Sequence, residues 1–590
     1  MSIKRSLPGF LFSILLCAVT APGASAQTPD DPDIDLATAA LTTTPTSPLA
    51  VDANQQYFNY GGVTVALVGV SGEYLPHIKQ GPNEATQYCT YGTAADTYDT
   101  YIKCVNELRT RGLNKLRMWL AINHSPGITQ HYSAANPSPT PYPSEHPFPY
   151  DPVARQWDVN VNQWDATWFA RVKDVIRYCQ GKGIIVEVTL FDAFAGEDSP
   201  VGNTGPWFGA NNTSGVGFTD RKYFNSFETN TGDIPNSPNA AARAVQYRFV
   251  DKIVAELNGF NNFYWEIANE PDLNGRAAGA PLYNWHNAIA DRIWQIEQNL
   301  TQQQGKNRHH PIAANYSSRE AINNAGSNTR INIVSSHYVG LSGAAGSIPE
   351  ADRFAAIPLN RTFNSGATGT VNKVFGFNEG RITAAAGHAK NAATAMTARA
   401  EAWEFMLGAG GLYDHLSYDW FTNSESAKAR QQLGVLNNFV AGFNLRSMSR
   451  VTPTAPPFWV ATGLAPYGTS ATYPNGSTSN TYWSSMQWIR NQFVLYIHHS
   501  TIAQPGAAKY NPKYFSPGIY SENLTVRPGN LSGCYRAEWI RPETGARIGP
   551  ADNFWWNGTD SPRPESSSVY EFDIALRLKR TSASQPCPTS

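Results

Sequence analysis

What this chain lacks narrows its function before any motif is read. It has no basic excess: 45 Lys and Arg stand against 46 Asp and Glu, a formal net charge of −1, and only 15% of residues are charged. Such a surface cannot neutralise a phosphate backbone, so no nucleic acid partner is expected. Cysteine is scarce, 6 in 590 residues, and no spacing suggests a zinc site; neither metal nor cofactor is expected. After residue 26 no apolar run is long enough to span a bilayer, so no membrane partner is expected. No internal repeat is evident. No Gly-rich phosphate turn follows the first strand, which argues against a doubly wound nucleotide-binding sheet.

What is present begins with an export signal. Lys4 and Arg5 precede an apolar stretch from Phe10 to Val19, and Ala24-Ser25-Ala26 supplies a small-residue cleavage site before Gln27. Residues 1–26 read as a signal peptide, and a secreted or periplasmic location follows. Leu16 before Cys17 is too bulky for a lipobox. Export permits disulfides. Cys89 with Cys104 and Cys534 with Cys587 are the expected local staples, and Cys179, in an apolar helical stretch, is left as a free core thiol. A monomer is expected.

Residues 27–50, rich in Thr, Pro, Asp and Ala, read as a disordered linker. From 51 to 425 apolar runs alternate with amphipathic segments. Eight strands are expected, at 65–70, 115–120, 184–191, 263–268, 312–315, 331–336, 373–377 and 411–416. Helices are expected between them, for example at 97–111, 165–180, 240–257, 285–300 and 394–407. Eight such units predict a (β/α)8 barrel. A connecting helix is expected within 426–452. Short alternating runs from 453 to 590, such as 493–498, 535–540 and 569–576, predict a small β-sandwich.

Two connections after strands are long. Residues 121–164 carry eight prolines between 126 and 152, and residues 192–239 hold Trp207, Phe208, Phe218 and Tyr223. Loops after barrel strands lie on the C-terminal face, where active sites are built, so these aromatics are expected to wall a cleft. Trp157, Trp164 and Trp168, partly at helical spacing, are expected in the core.

The strongest chemical signal is Phe263-Tyr264-Trp265-Glu266-Ile267-Ala268-Asn269-Glu270-Pro271. The run reads as strand four, ended by Pro271, with Glu270 at the barrel mouth. Glu266 shares its parity and points inward lower down, towards Arg117. Val374-Phe375-Gly376-Phe377-Asn378-Glu379 reads as strand seven, again ending in Glu. Strands four and seven face each other across an eight-stranded barrel. Two opposed carboxyls are what glycoside hydrolysis needs: one protonates the leaving oxygen, and the other attacks the anomeric carbon or activates water.

These segments resemble the clan of retaining (β/α)8 glycoside hydrolases that contains the cellulase-like family 5 enzymes. The resemblance implies that Glu270 is the acid/base and Glu379 the nucleophile. It implies that Asn269 binds near the sugar 2-hydroxyl, that Arg117 supports the nucleophile, and that Tyr338 beside His337 hydrogen-bonds it. Trp420 or Tyr418 would be the sugar platform. Asn123 and His124 after strand two, and Asp192 after strand three, are further candidates for substrate contact. A carbohydrate substrate is expected. The alternatives are a non-catalytic glycan-binding protein on this scaffold and a transglycosylase using the same pair.

Overall fold

The computed structural model describes most of residues 41–587; outside the described residues lie 1–40, 78–88, 92–99, 121–145, 193–205, 225–238, 273–279, 317–327, 338–372, 381–393, 416–423, 501–517 and shorter stretches between. Among the described residues no helix is long and apolar enough to cross a membrane.

A small antiparallel sheet comes first: β1 (Ala50–Val51), β2 (Phe58–Tyr60) and β3 (Val63–Val65). The barrel follows. Its strands are β4 (Leu67–Ser71), β5 (Lys115–Trp119), β8 (Ile185–Asp192), β9 (Phe263–Asn269), β10 (Ile312–Tyr316), β11 (Ile333–His337), β12 (Val374–Gly380) and β13 (Leu412–His415). All pair in parallel, and β13 closes on β4. A two-stranded ribbon, β6 (Tyr150–Asp151) and β7 (Gln156–Trp157), sits in the connection after β5. Among the described residues the helices are α1 (Thr100–Arg111), α2 (Ala166–Gly181), α3 (Ala240–Leu257), α4 (Ala280–Gln304), α5 (Thr394–Leu407) and α6 (Ser424–Ala441). Local chemistry places them: the Asp165 carboxylate accepts from the Thr167 and Trp168 amides and starts α2.

Side-chain alternation sorts the strands into two layers. Along β5, Leu116 and Met118 face the helices, while Lys115 and Arg117 face the lumen, where they meet Glu187, Asp414 and Glu266. Gly69 lets β4 lie close to β5, because a Cβ there would stand 2.1 Å from the Lys115 carbonyl oxygen.

Several sequence expectations are corrected. Residues 41–50 are not a linker: Leu41 and Leu49 are buried with Phe58 and Tyr60 against Leu67, Ile185, Ile333 and Leu412, closing the barrel floor. Val65 belongs to this floor sheet rather than to the first barrel strand. The expected connector is the barrel's own last helix, since α6 packs on β4, α1 and α5 through Leu433, Leu436 and Phe439. Its Gly434 permits this, for a Cβ would meet the Arg111 carbonyl oxygen at 1.7 Å. Trp207 and Phe218 do not wall a cleft. They are buried among Phe148, Phe191, Phe224 and Phe249, because aromatic faces gain more from dry edge-to-face packing than from exposure. Phe208 and Tyr223 lie outside the described residues. Trp157 and Trp168 are buried and Trp164 packs against the same core.

Beyond α6 comes the sandwich. One sheet runs β14 (Ser449–Arg450), β17 (Thr478–Trp488), β18 (Gln492–Ser500), β23 (Asp573–Ser582), β20 (Gly533–Ile540) and β21 (Asp552–Trp556), with β16 (Thr469–Thr472) on β17. The second is β15 (Val460–Thr462), β19 (Asn523–Val526) and β22 (Arg563–Ser566). Strand β18 shows the period of two: Phe493, Leu495 and Ile497 fill the space between the sheets, whereas Val494 and Tyr496 join the barrel core. The interface also holds an ion pair, Arg399 to Asp573 at 2.8 and 3.0 Å, and His498 against Glu404 at 2.7 Å. Disulfides join Cys89 to Cys104 and Cys534 to Cys587, and Cys179 is free and buried.

Candidate active site

Two Glu side chains lie at the C-terminal ends of β9 and β12. Glu270 follows the last residue of β9 and Glu379 is the penultimate residue of β12. They are 2% and 3% exposed, so both carboxyls are shielded from bulk water. Strand register explains how Glu379 turns to this place. Ser336 pairs with Phe377 but His337 pairs with Glu379, a bulge at Asn378. The extra residue lets Asn378 and its successor both reach the barrel interior, which strict alternation would forbid. Glu270 departs from the strand in another way, at φ +40°.

Arg117 ties the two ends together. Its Nη1 donates to Glu379 Oε1 at 2.6 Å, and its Nη2 donates to Asn269 Oδ1 at 2.8 Å. Its Nε and Nη2 also form a bidentate pair with Glu266, each at 2.8 Å. The planar guanidinium supplies this fork of donors. Glu266 is therefore the lower, structural carboxyl, further held by the Thr189 hydroxyl. Because Arg117 fixes the Asn269 oxygen, the amide Nδ2 must face the other way. It is buried with no acceptor among the described residues, which leaves a donor ready for a ligand hydroxyl.

Beneath this fork lies a second charged group. Lys115 pairs with Glu187 at 2.5 Å and with Asp414, all fully buried. Burial works against ionisation here, and the neighbours decide the outcome. Against the desolvation of complete burial, Glu266 and Glu379 hold the Arg117 guanidinium well above its ordinary value. Against the same desolvation, Lys115 and Arg117 hold the Glu187 carboxyl below the usual range. Burial wins at Glu266, which is raised although Arg117 opposes it. Burial also prevails at Asp414, pushed up to about 7.

Of the other candidates, Asp192 ends β8 opposite Asn269, and His337 ends β11 opposite Glu379. Asn123, His124, Tyr338, Tyr418 and Trp420 lie outside the described residues. Lys115, Glu187, Asn315, Asn378 and Asp414 were not anticipated. Their signal is a polar residue at lumen parity inside an otherwise apolar strand, such as Glu187 in Ile185–Asp192.

Residues 91–338 match the model of the family described as Cellulase (glycosyl hydrolase family 5). The family resemblance drawn from the sequence is thus shown over that range. Comparison with curated protein sequences gives no match. Among solved structures, a family 5 glycoside hydrolase from Bacteroides vulgatus aligns over 90% of this chain and 93% of its own, at 11% identity and a TM-score of 0.50. Another, described as a glycoside hydrolase, aligns over 91% of this chain and 97% of its own, at 12% identity and a TM-score of 0.49. At such identity the likeness to the Bacteroides vulgatus structure is one of fold.

Proposed function

We propose that this glycoside hydrolase, whose barrel carries the family 5 cellulase domain over residues 91–338, cleaves a β-linked glycan by double displacement with retention. The observation that carries the reading is the single guanidinium of Arg117, which bonds both Glu379 and Asn269 at the same mouth. An ionised carboxylate and an oriented amide donor then face one sugar ring.

In the first step a Glu379 oxygen attacks the anomeric carbon as the glycosidic C–O bond breaks, and Glu270 gives its proton to the departing oxygen. The product is a glycosyl ester on Glu379. In the second step Glu270 takes a proton from water, the hydroxide oxygen bonds to the anomeric carbon, and Glu379 leaves as carboxylate. The Asn269 donor binds the neighbouring sugar hydroxyl throughout, and Arg117 steadies the charge that Glu379 loses and regains.

The test is to make Glu270→Gln and Glu379→Gln and to supply azide. Azide rescue should give the inverted glycosyl azide from the Glu379 variant and the retained one from the Glu270 variant, read by NMR. Full activity in either variant would overturn the assignment. Export is part of the proposal: residues 1–26 would be removed, and disulfides such as Cys89–Cys104 suit an oxidising compartment. Mass spectrometry of the exported protein should find Gln27 at its N-terminus.

A further inference from the structure

Glu270 occupies the left-handed region, φ +40°, which a residue with a side chain adopts at a cost and keeps only when its surroundings enforce it. What meets its backbone is a side chain from the next strand. The Glu270 N–H donates to Asn315 Oδ1 at 3.2 Å. Asn315 Nδ2 in turn donates to Asn378 Oδ1 at 2.8 Å, and Asn378 Nδ2 donates to Glu187 Oε1 at 2.8 Å and Glu266 Oε1 at 3.0 Å. Asn315, Asn378, Glu187 and Glu266 are all fully buried.

The chain of bonds has a fixed direction. An amide side chain can ordinarily be turned over, but here the two ends decide. At the Glu270 end an N–H can only donate, so Asn315 must present oxygen there and nitrogen to Asn378. At the floor the Glu187 carboxylate, paired with Lys115, accepts, so Asn378 must present nitrogen there and oxygen to Asn315. Reversing either amide would set donor against donor or oxygen against oxygen in a dry interior. The bulge at Asn378 is what brings this residue and Glu379 inward side by side, so the relay starts next to one carboxyl and ends on the backbone of the other.

We propose that Asn315 and Asn378 are a positioning relay that fixes the Glu270 backbone, and so the aim of its carboxyl, from the charged floor of the barrel. The inference rests on the reading of Glu270 as the acid/base. Each asparagine acts through Glu270 rather than on the substrate.

The test uses the mature enzyme and aryl β-glycosides of the sugar it cleaves fastest, with phenols of graded acidity. Poor leaving groups need a well-aimed acid and good ones do not, and general acid catalysis contributes roughly 100-fold or more. Asn315→Ala should therefore lose about 10- to 100-fold in kcat on the poorest leaving group and less than about threefold on the best, with KM little changed. The plot of log(kcat/KM) against leaving-group pKa should steepen. Asn378→Ala should steepen it similarly, because the relay runs from Asn378 through Asn315 to the Glu270 N–H. The double variant should be no worse than about twofold beyond the worse single one, since one relay is cut twice. Equal losses on all leaving groups, or additive losses in the double variant, would overturn the relay. If Asn315→Ala does not fold, Asn315→Ser is measured in its place, with the same slope deciding. If Glu270→Gln itself kept full activity on poor leaving groups, the functional reading would fail; if that variant is inactive but the asparagine variants keep the wild-type slope, the relay alone fails.

Discussion

Inside the barrel, Lys115, Arg117, Glu187, Glu266 and Asp414 are fully buried and pair with one another: Lys115 with Glu187 and Asp414, Arg117 with Glu266. Between the sheets of the sandwich, Trp459, Phe493, Leu495, Tyr535 and Leu576 form a core of aromatic and aliphatic groups. Each buried charge costs several kcal/mol to desolvate, and pairing only partly offsets it. Apolar burial has no such opposing cost and stabilises by about 25 cal/mol per Å². The lumen is thus a place where electrostatic order is maintained at the expense of stability, and the sandwich is one where stability accumulates. Their contact matters for this reason: one face of the β18 sheet extends the barrel's own outer core through Val494 and Tyr496.

The contrast can be broken most severely at Arg117. Arg117→Leu would leave Glu266 and Glu379 without their shared cation. Activity on the identified glycan should fall by at least about 100-fold, and denaturant unfolding should show a loss of about 3–5 kcal/mol. Arg399→Leu cuts the ion pair between the two regions and leaves Asp573 without that cation, though still bonded by the Tyr496 hydroxyl. It should cost a similar 3–5 kcal/mol or somewhat less, yet leave kcat at 25 °C within about twofold, and calorimetry should resolve two transitions where the wild type shows one. Leu495→Ala strikes the sandwich interior alone. It should cost about 2–5 kcal/mol with kcat unchanged; a large fall in kcat would mean that the two interiors are not separable.

The smallest effect concerns pH. Asp414 is raised to about 7 in the fold from an ordinary 3.8. The folded state therefore holds a proton that the unfolded state has released, and the associated stability is full below about 4 and is lost as pH rises towards 7. Asn at 414 carries no such proton. Asp414→Asn should flatten the dependence of Tm on pH between about 4 and 7 by a few degrees, and an unaltered profile would place the linkage elsewhere.

The barrel was legible because its strands are apolar runs cut off by turn residues, and because Glu270 and Glu379 end two of them. Glu266 was legible as the inward carboxyl by parity alone, and it pairs with Arg117. The floor sheet was not: Phe58–Tyr60 and Val63–Val65 are short and sit in a polar, Gly-containing stretch that reads as a lead-in to strand one. The bulge at Asn378 was invisible too, since a register shift depends on the partner strand and leaves no periodic trace in its own. The lumen charges were hidden for a related reason. Lys115 and Glu187 sit inside runs apolar enough to read as buried, and their partners are 72 to 299 positions away in the chain. The aromatics of 192–239 misled because ring content alone does not distinguish a sugar platform from a dry cluster.

The floor sheet also sets where this domain can be trimmed for expression. A recombinant protein starting at Val65, the beginning of the first apparent strand, would lack Phe58 and Tyr60 and would bare Leu67, Ile185, Tyr264, Ile333 and Leu412 as one greasy disc. Such a surface invites self-association. Starting at Leu41 keeps the stopper in its bottle, and affinity tags added there would hang from the end of the barrel opposite Glu270 and Glu379.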